Sequence, residues 1–182
     1  MRIVAVGAQD HELIAGMAEV LIAAFEEHSP DSWTDIPSAV EEIAEGLQPG
    51  RIVLAAVGES DVVLGWIGGR FEYARVWELH PLAVDPRHHR KGIGRALVAE
   101  LERRAKALGC LTLRLGTDDE DDQTSLSGTD LYEDTWEKVR DIRNLRGHAF
   151  EFYQRCGYTV VGVIPDANGV GRPDILMAKR LT

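Results

Sequence analysis

The residues best suited to chemistry cluster in one stretch, WELHPLAVDPRHHRKGIGRALVAELERRAKALG, residues 77–109. Its loop RKGIGR puts Gly92 and Gly94 at the start of a helix. Backbone N–H groups there lack side-chain cover, and the helix dipole adds about half a positive charge. Arg90, Lys91 and Arg95 add full charges, so the loop suits an anion such as a pyrophosphate. Two familiar phosphate devices are absent: G-x-G-x-x-G fails at Leu97, and no G-x-x-x-x-G-K-[ST] occurs. Upstream, Glu78 and His80 stand two apart on a strand, so they share one face if the pleat is regular. Pro81 follows them and cannot donate a ladder hydrogen bond, so it belongs on an edge or at a bulge.

A second concentration of chemistry is acidic. Residues 117–141 hold ten Asp and Glu against Lys138 and Arg140, a net charge of −8 in a chain of net −10. Such a segment is either a solvated loop or the lining of a cleft that attracts a polycation. The overall charge argues against nucleic acid as the main partner. Cys110 and Cys156 show no metal spacing, and two cysteines in 182 residues suggest free thiols rather than a disulfide framework. The start MRIVAVGAQD lacks the basic and apolar regions of a signal peptide, and no apolar run reaches the roughly 20 residues of a membrane span. The expected location is therefore cytoplasmic.

These groups need elements to hold them. MRIVAVG reads as a strand, and residues 11–25 carry apolar residues at helical spacing with Asp10 placed to cap them. Residues 39–50 read as a short helix closed by Gly50. Two apolar runs around GESD read as a hairpin, followed by the strand over residues 76–84. Ile93, Leu97, Leu101, Ala105 and Leu108 form one stripe of a helix that Gly109 ends. CLTLRLG is a strand, HAFEFYQRCGY a helix ended by Gly157, and TVVGVIP and DILMAKRL two final strands. The order, with an antiparallel start and a βαβ unit, predicts one α/β (α+β) domain over residues 1–182.

The proline-broken strand, the basic glycine loop and the later aromatic helix together resemble the GNAT superfamily of N-acetyltransferases. Its pyrophosphate loop, [Q/R]-x-x-G-x-[G/A], is matched by residues 89–94, with His89 in place of Gln or Arg. Its F-Y-x-x-x-G-[FY] helix is matched from Phe152-Tyr153 to Gly157-Tyr158. WELHPLAV, the segment from LGTDDEDD to QRCGY, and VGVIPDANGVGRPDILMAK are similar to the aminoglycoside 6′-N-acetyltransferases with an acidic insert after the fifth strand. This similarity runs from about residue 50 to the end; the first 50 residues, which help build the acceptor site in that family, match loosely.

The resemblance implies a mixed central sheet of six to seven strands, flanked by helices and splayed between strands 4 and 5, with acetyl-CoA as cosubstrate and no metal. It implies that backbone groups of Leu82, Ala83 and Val84 bind the pantetheine arm and that the Leu82 N–H polarises the thioester carbonyl. Arg90, Lys91, Gly92, Ile93, Gly94 and Arg95 would hold the pyrophosphate, and Asn144 would touch the cofactor. The acceptor amine needs a base, for which Glu78 is the first candidate and His80 the second; Glu78 acting only as an anchor for a cation is the alternative. Tyr153 would supply the departing thiolate with a proton or a hydrogen bond. Asp118, Asp119 and Glu120 would meet a polycationic aminoglycoside, with Glu78, Tyr73 and Trp77 completing the acceptor surface. A homodimer is implied. Two other readings stand beside this one: the same transfer to a polyamine or peptide amine, and a non-catalytic acyl-CoA sensor.

Overall fold

A computed structural model describes residues 1–26 and 32–182. The chain forms two compact units, Met1–Leu113 with Leu181–Thr182, and Arg114–Arg180. Among the described residues there are seven strands, within the expected six to seven.

In the first unit, β1 (Arg2–Ala5), β2 (Ile52–Val57), β3 (Val63–Tyr73) and β4 (Val76–Val84) run antiparallel in that spatial order. Helix α1 (His11–Phe25) buries Met17, Ala18, Val20 and Leu21, as its apolar period requires. Asp10 does not cap it; its Oδ2 instead accepts from the Gly7 N–H at 2.8 Å. Helix α2 (Ile36–Gly46) starts three residues earlier than the pattern predicts. Asp35 and Ser38 form a reciprocal capping box there, and Pro37 fits the first turn. Both helices pack with Val53, Ala55, Val57, Val63, Trp66 and Ala83 into one core. The hairpin expected around GESD joins β2 and β3.

Strand β4 carries the bulge that Pro81 suggests. Ile67 pairs with Leu82 and Gly69 with Leu79, so His80 and Pro81 together oppose Gly68. A Cβ on Gly68 would lie 2.2 Å from the His80 carbonyl oxygen, so only glycine fits there. Helix α3 (Ile93–Ala107) buries Ile93, Leu97, Val98, Leu101 and Ala105. Leu108 falls outside the helix and is exposed, because the chain turns at Gly109 with φ +83°.

In the second unit, β5 (Thr112–Asp118, from Arg114 onward), β7 (Asp174–Arg180) and β6 (Thr159–Ile164) are neighbours in that order, and β6 pairs antiparallel with β7. Helix α5 (Phe150–Arg155) packs on β6 and β7. The acidic segment is more ordered than a solvated loop. It holds helix α4 (Thr135–Arg140) and buries Leu126, Leu131 and Val139. No helix among the described residues is long and apolar enough to cross a membrane.

Candidate active site

Register and contacts put Glu78 and His80 on the same side of the sheet. Trp66 belongs to the α1–α2 core, and Arg70 lies four residues further along β3 on the same face. Glu78 is the direct cross-strand partner of Arg70. The Arg70 Nε donates to Glu78 Oε2, and the carboxylate is only 13 % exposed. His80 Nε2 lies 3.6 Å from Glu42 Oε1 of α2. Glu78 and His80 of β4, Arg70 of β3 and Glu42 of α2 thus bring two carboxylates, one guanidinium and one imidazole to this face.

The bulge also aims backbone groups. The Asp85 N–H donates to the Leu64 carbonyl at 3.0 Å. Antiparallel ladders alternate bonded and non-bonded pairs, so Ala83–Trp66 is bonded while Leu82 and Val84 direct their N–H and C=O away from β3. The Leu82 N–H, the expected oxyanion donor, therefore takes no part in the β3 ladder. At Val84 the carbonyl already accepts from His89 Nε2 at 2.9 Å. His89, which departs from the Gln or Arg of the family loop, is thereby given a structural task.

Between them, Asp85 organises the loop. It is buried, accepts from the Arg87 backbone N–H at 2.9 Å and takes the Arg87 guanidinium on both oxygens. The Arg87 hydrogen bonds outweigh its burial and hold its carboxyl down at about 2. Arg90 then adopts φ +58° and Gly92 φ +82°, which turns the chain into α3. Among the described residues no side chain caps this 15-residue helix, and a Cβ on Gly92 would meet none of them within 4 Å. Open, uncapped amides flanked by Arg90, Lys91, Gly94 and Arg95 are a fitting cradle for a pyrophosphate.

Asp118, Asp119, Glu120, Asn144 and Tyr153 all lie in the second unit. Asp118 is exposed, and its Oδ1 accepts from Asn168 Nδ2 at 2.6 Å. Glu120 is half-buried. Asp119 is 0 % exposed, and its oxygens accept from the backbone N–H groups of Gln123 at 2.7 Å and Thr124 at 2.8 Å. Burial opposes its ionisation, but the hydrogen bonds from Thr124, Gln123 and Ser127 prevail and hold its carboxyl low. Acceptor contact does not fit this inward carboxylate, which shapes the loop instead. Asn144 is likewise committed: its Oδ1 accepts from Gly147 and His148 N–H, both at 2.8 Å, and its Nδ2 donates to the His148 carbonyl at 2.9 Å. The cofactor contact expected of that amide is not available while these bonds hold.

Tyr153 is nearly buried in α5, and burial pushes its phenol up, so it stays protonated at neutral pH. Trp77 does not offer a sugar-facing surface; it is 1 % exposed and packs on Phe71 with ring centroids 4.4 Å apart. Tyr73, 67 % exposed at the end of β3, remains accessible. Sequence reasoning missed Arg70, Glu42 and Asn168. None left a local signal: Tyr73 pairs with Val76 across the β3–β4 turn, and only the register shift between Phe71 and Tyr73 brings Arg70 opposite Glu78.

A family model described as acetyltransferase (GNAT) family matches residues 14–133. Among solved structures, an aminoglycoside 6′-N-acetyltransferase complexed with coenzyme A is 42 % identical, with TM-score 0.91 over 100 % of this chain and 98 % of the other. The aminoglycoside 6′-N-acetyltransferase from Enterococcus faecium is 41 % identical with the same TM-score and coverage. Aminoglycoside 6′-acetyltransferase type Ii is 32 % identical over the same shares, with TM-score 0.75. A comparison with curated proteins found no match. With its family model covering most of the chain and these likenesses spanning all of it, this chain belongs to the GNAT family of acetyltransferases.

Proposed function

We propose that this protein transfers the acetyl group of acetyl-CoA to the 6′-amino group of aminoglycosides and so confers resistance to them. The observation that carries this reading is the 42 % identity, over the whole chain, to an aminoglycoside 6′-N-acetyltransferase that holds coenzyme A. The geometry supports it at each step. Acetyl-CoA supplies the activated acetyl group. Residues 90–95 hold its pyrophosphate, and the outward backbone of β4 pairs with its pantetheine arm. The Leu82 N–H stabilises negative charge on the thioester oxygen, a contact worth roughly 3 kcal/mol in such sites.

Glu78, kept in place by Arg70, receives the acceptor ammonium and takes a proton from it; the neutral amine then attacks the thioester carbonyl, and the second N–H proton leaves to solvent as the amide forms. His80, with Glu42 beside it, is the second candidate base. Asp118 and Glu120 draw in the polycation, and Tyr73 adds an aromatic surface. Tyr153 gives a proton to the departing thiolate. No covalent enzyme intermediate is needed. The whole chain acts as one acetyltransferase domain, cytoplasmic and dimeric.

The test is thiol release from acetyl-CoA with a panel of amines: aminoglycosides with a 6′ amine, matched ones with a 6′ hydroxyl, spermidine and a basic peptide. Turnover confined to the 6′-amino compounds is the expected result. Turnover on spermidine or peptide alone would keep acetyl transfer and discard the drug assignment. Silence with acetyl-CoA still bound would favour a sensor.

A further inference from the structure

We infer that His148 is a positioning residue that couples Asp118, at the end of β5, to the helix that carries Tyr153. The inference rests on the proposed roles of those two residues, acceptor contact and thiolate protonation.

His148 is 2 % exposed, yet both its ring nitrogens have partners. Nε2 lies 2.9 Å from the Asp118 carbonyl oxygen, which can only accept, so Nε2 carries the proton. Nδ1 lies 3.1 Å from the Phe150 backbone N–H, which can only donate, so Nδ1 is bare. The ring is therefore neutral and fixed in one tautomer. One of its arms reaches the acceptor wall, and the other reaches the first residue of α5.

Both ends need such a tether. Helix α5 has six residues, too few to be stable or oriented by its own hydrogen bonds. Tyr153 sits one turn beyond Phe150, so the tilt of that first turn sets where its phenol points. The Phe150 ring also lies against the imidazole, with centroids 5.7 Å apart. At the other end, the Asp118 side chain is held by Asn168 and its backbone by His148. The imidazole itself is fixed because Asn144 takes both the N–H and the C=O of His148. Acceptor contact and proton delivery are thus registered to each other through one ring.

The two arms can be cut separately in the full-length protein. In His148→Asn the amide oxygen stands near Nδ1 and still accepts from Phe150, while the Asp118 arm is lost. In His148→Gln the amide nitrogen stands near Nε2 and still donates to Asp118, while the Phe150 arm is lost. A lost buried hydrogen bond is worth about tenfold. His148→Asn is expected to raise the aminoglycoside KM about tenfold with kcat little changed, and His148→Gln to lower kcat about tenfold with that KM little changed. Parallel loss of both parameters in both variants, tracking the fall in Tm, would mean a merely structural residue and overturn the inference, as would two silent variants.

Asp118→Asn and Tyr153→Phe serve as controls. If they leave KM and kcat unmoved, the proposed roles fall and the inference with them. If they move while the His148 pair does not split, the inference alone falls. Should the variants not fold, nitrogen-15 NMR of the wild-type imidazole decides: a single Nε2–H tautomer at pH 7.5 is expected, and an Nδ1–H or charged ring would overturn it.

Discussion

Glu78 shows why a candidate base must be judged with its partner. A carboxylate only 13 % exposed needs compensation for lost hydration, and Arg70 supplies it across the strand pair. With Arg70 already paired to it, Glu78 is proposed both to anchor the acceptor cation and to take its proton. Glu78→Gln removes both functions without changing shape, and kcat/KM for the 6′-amino acceptor is expected to fall about 100-fold, within the range of general-base loss. Steady-state kinetics at saturating acetyl-CoA measures this, and an unchanged value would exclude Glu78 from the chemistry. Asp85 makes a different point at the same scale. Its folded pKa of about 2 lies below the unfolded value of about 3.9. The stability it contributes is therefore full above pH 4 and lost as pH falls toward 2. Asp85→Asn is expected to be less stable than wild type at pH 7, with the gap narrowing between pH 4 and pH 2 in urea titrations.

At the scale of elements, the bulge in β4 and the glycine entry to α3 divide the work. The bulge accommodates Pro81 and turns the Leu82 and Val84 amides away from β3. Gly92 gives the chain its left-handed step into the helix, which costs any other residue about 1–2 kcal/mol. A Cβ there meets none of the described residues within 4 Å. Gly92→Ala is therefore expected to lower stability by only about 1–2 kcal/mol. The same methyl would stand where the pyrophosphate is proposed to lie, so the acetyl-CoA KM is expected to rise at least tenfold. Calorimetry and kinetics together check the split; a lowered Tm with an unaltered KM would place the pyrophosphate elsewhere.

For the molecule as a whole, charge is the governing quantity. A net charge of −10, with −8 in residues 117–141, attracts a polycation over a distance that salt shortens from about 10 Å at 0.1 M to about 3 Å at 1 M. The KM for a tetracationic aminoglycoside is expected to rise several-fold between 0.05 M and 0.5 M salt, while that for acetyl-CoA changes little or falls. Kinetics across that salt range test it. A flat response would leave the acidic insert to loop architecture alone, the task Asp119 already performs.

Local chemistry was legible without a structure. The Gly92–Gly94 loop, the stripe of α3, the Pro81 bulge and the FYQRCGY helix each follow from backbone sterics or periodicity within a few residues, and together they resemble one family. Capping was not legible: the capping box of Asp35 carries Ser38 where the usual pattern has Glu or Gln, and nothing local announces the competing pull of Gly7 on Asp10. What the tertiary structure decided was which acidic and aromatic side chains face outward. Asp118 and Asp119 are chemically identical neighbours, but only the first is exposed, because the amides of Gln123 and Thr124 fold back on the second. Trp77 is buried because β4 pairs with β3 in a register that brings it to Phe71, and Asn144 is occupied because a loop closes on it. Sequence alone determined the transfer chemistry this chain is built for. Long-range hydrogen bonds, whose partners no local pattern specifies, decided which residues are free to perform it.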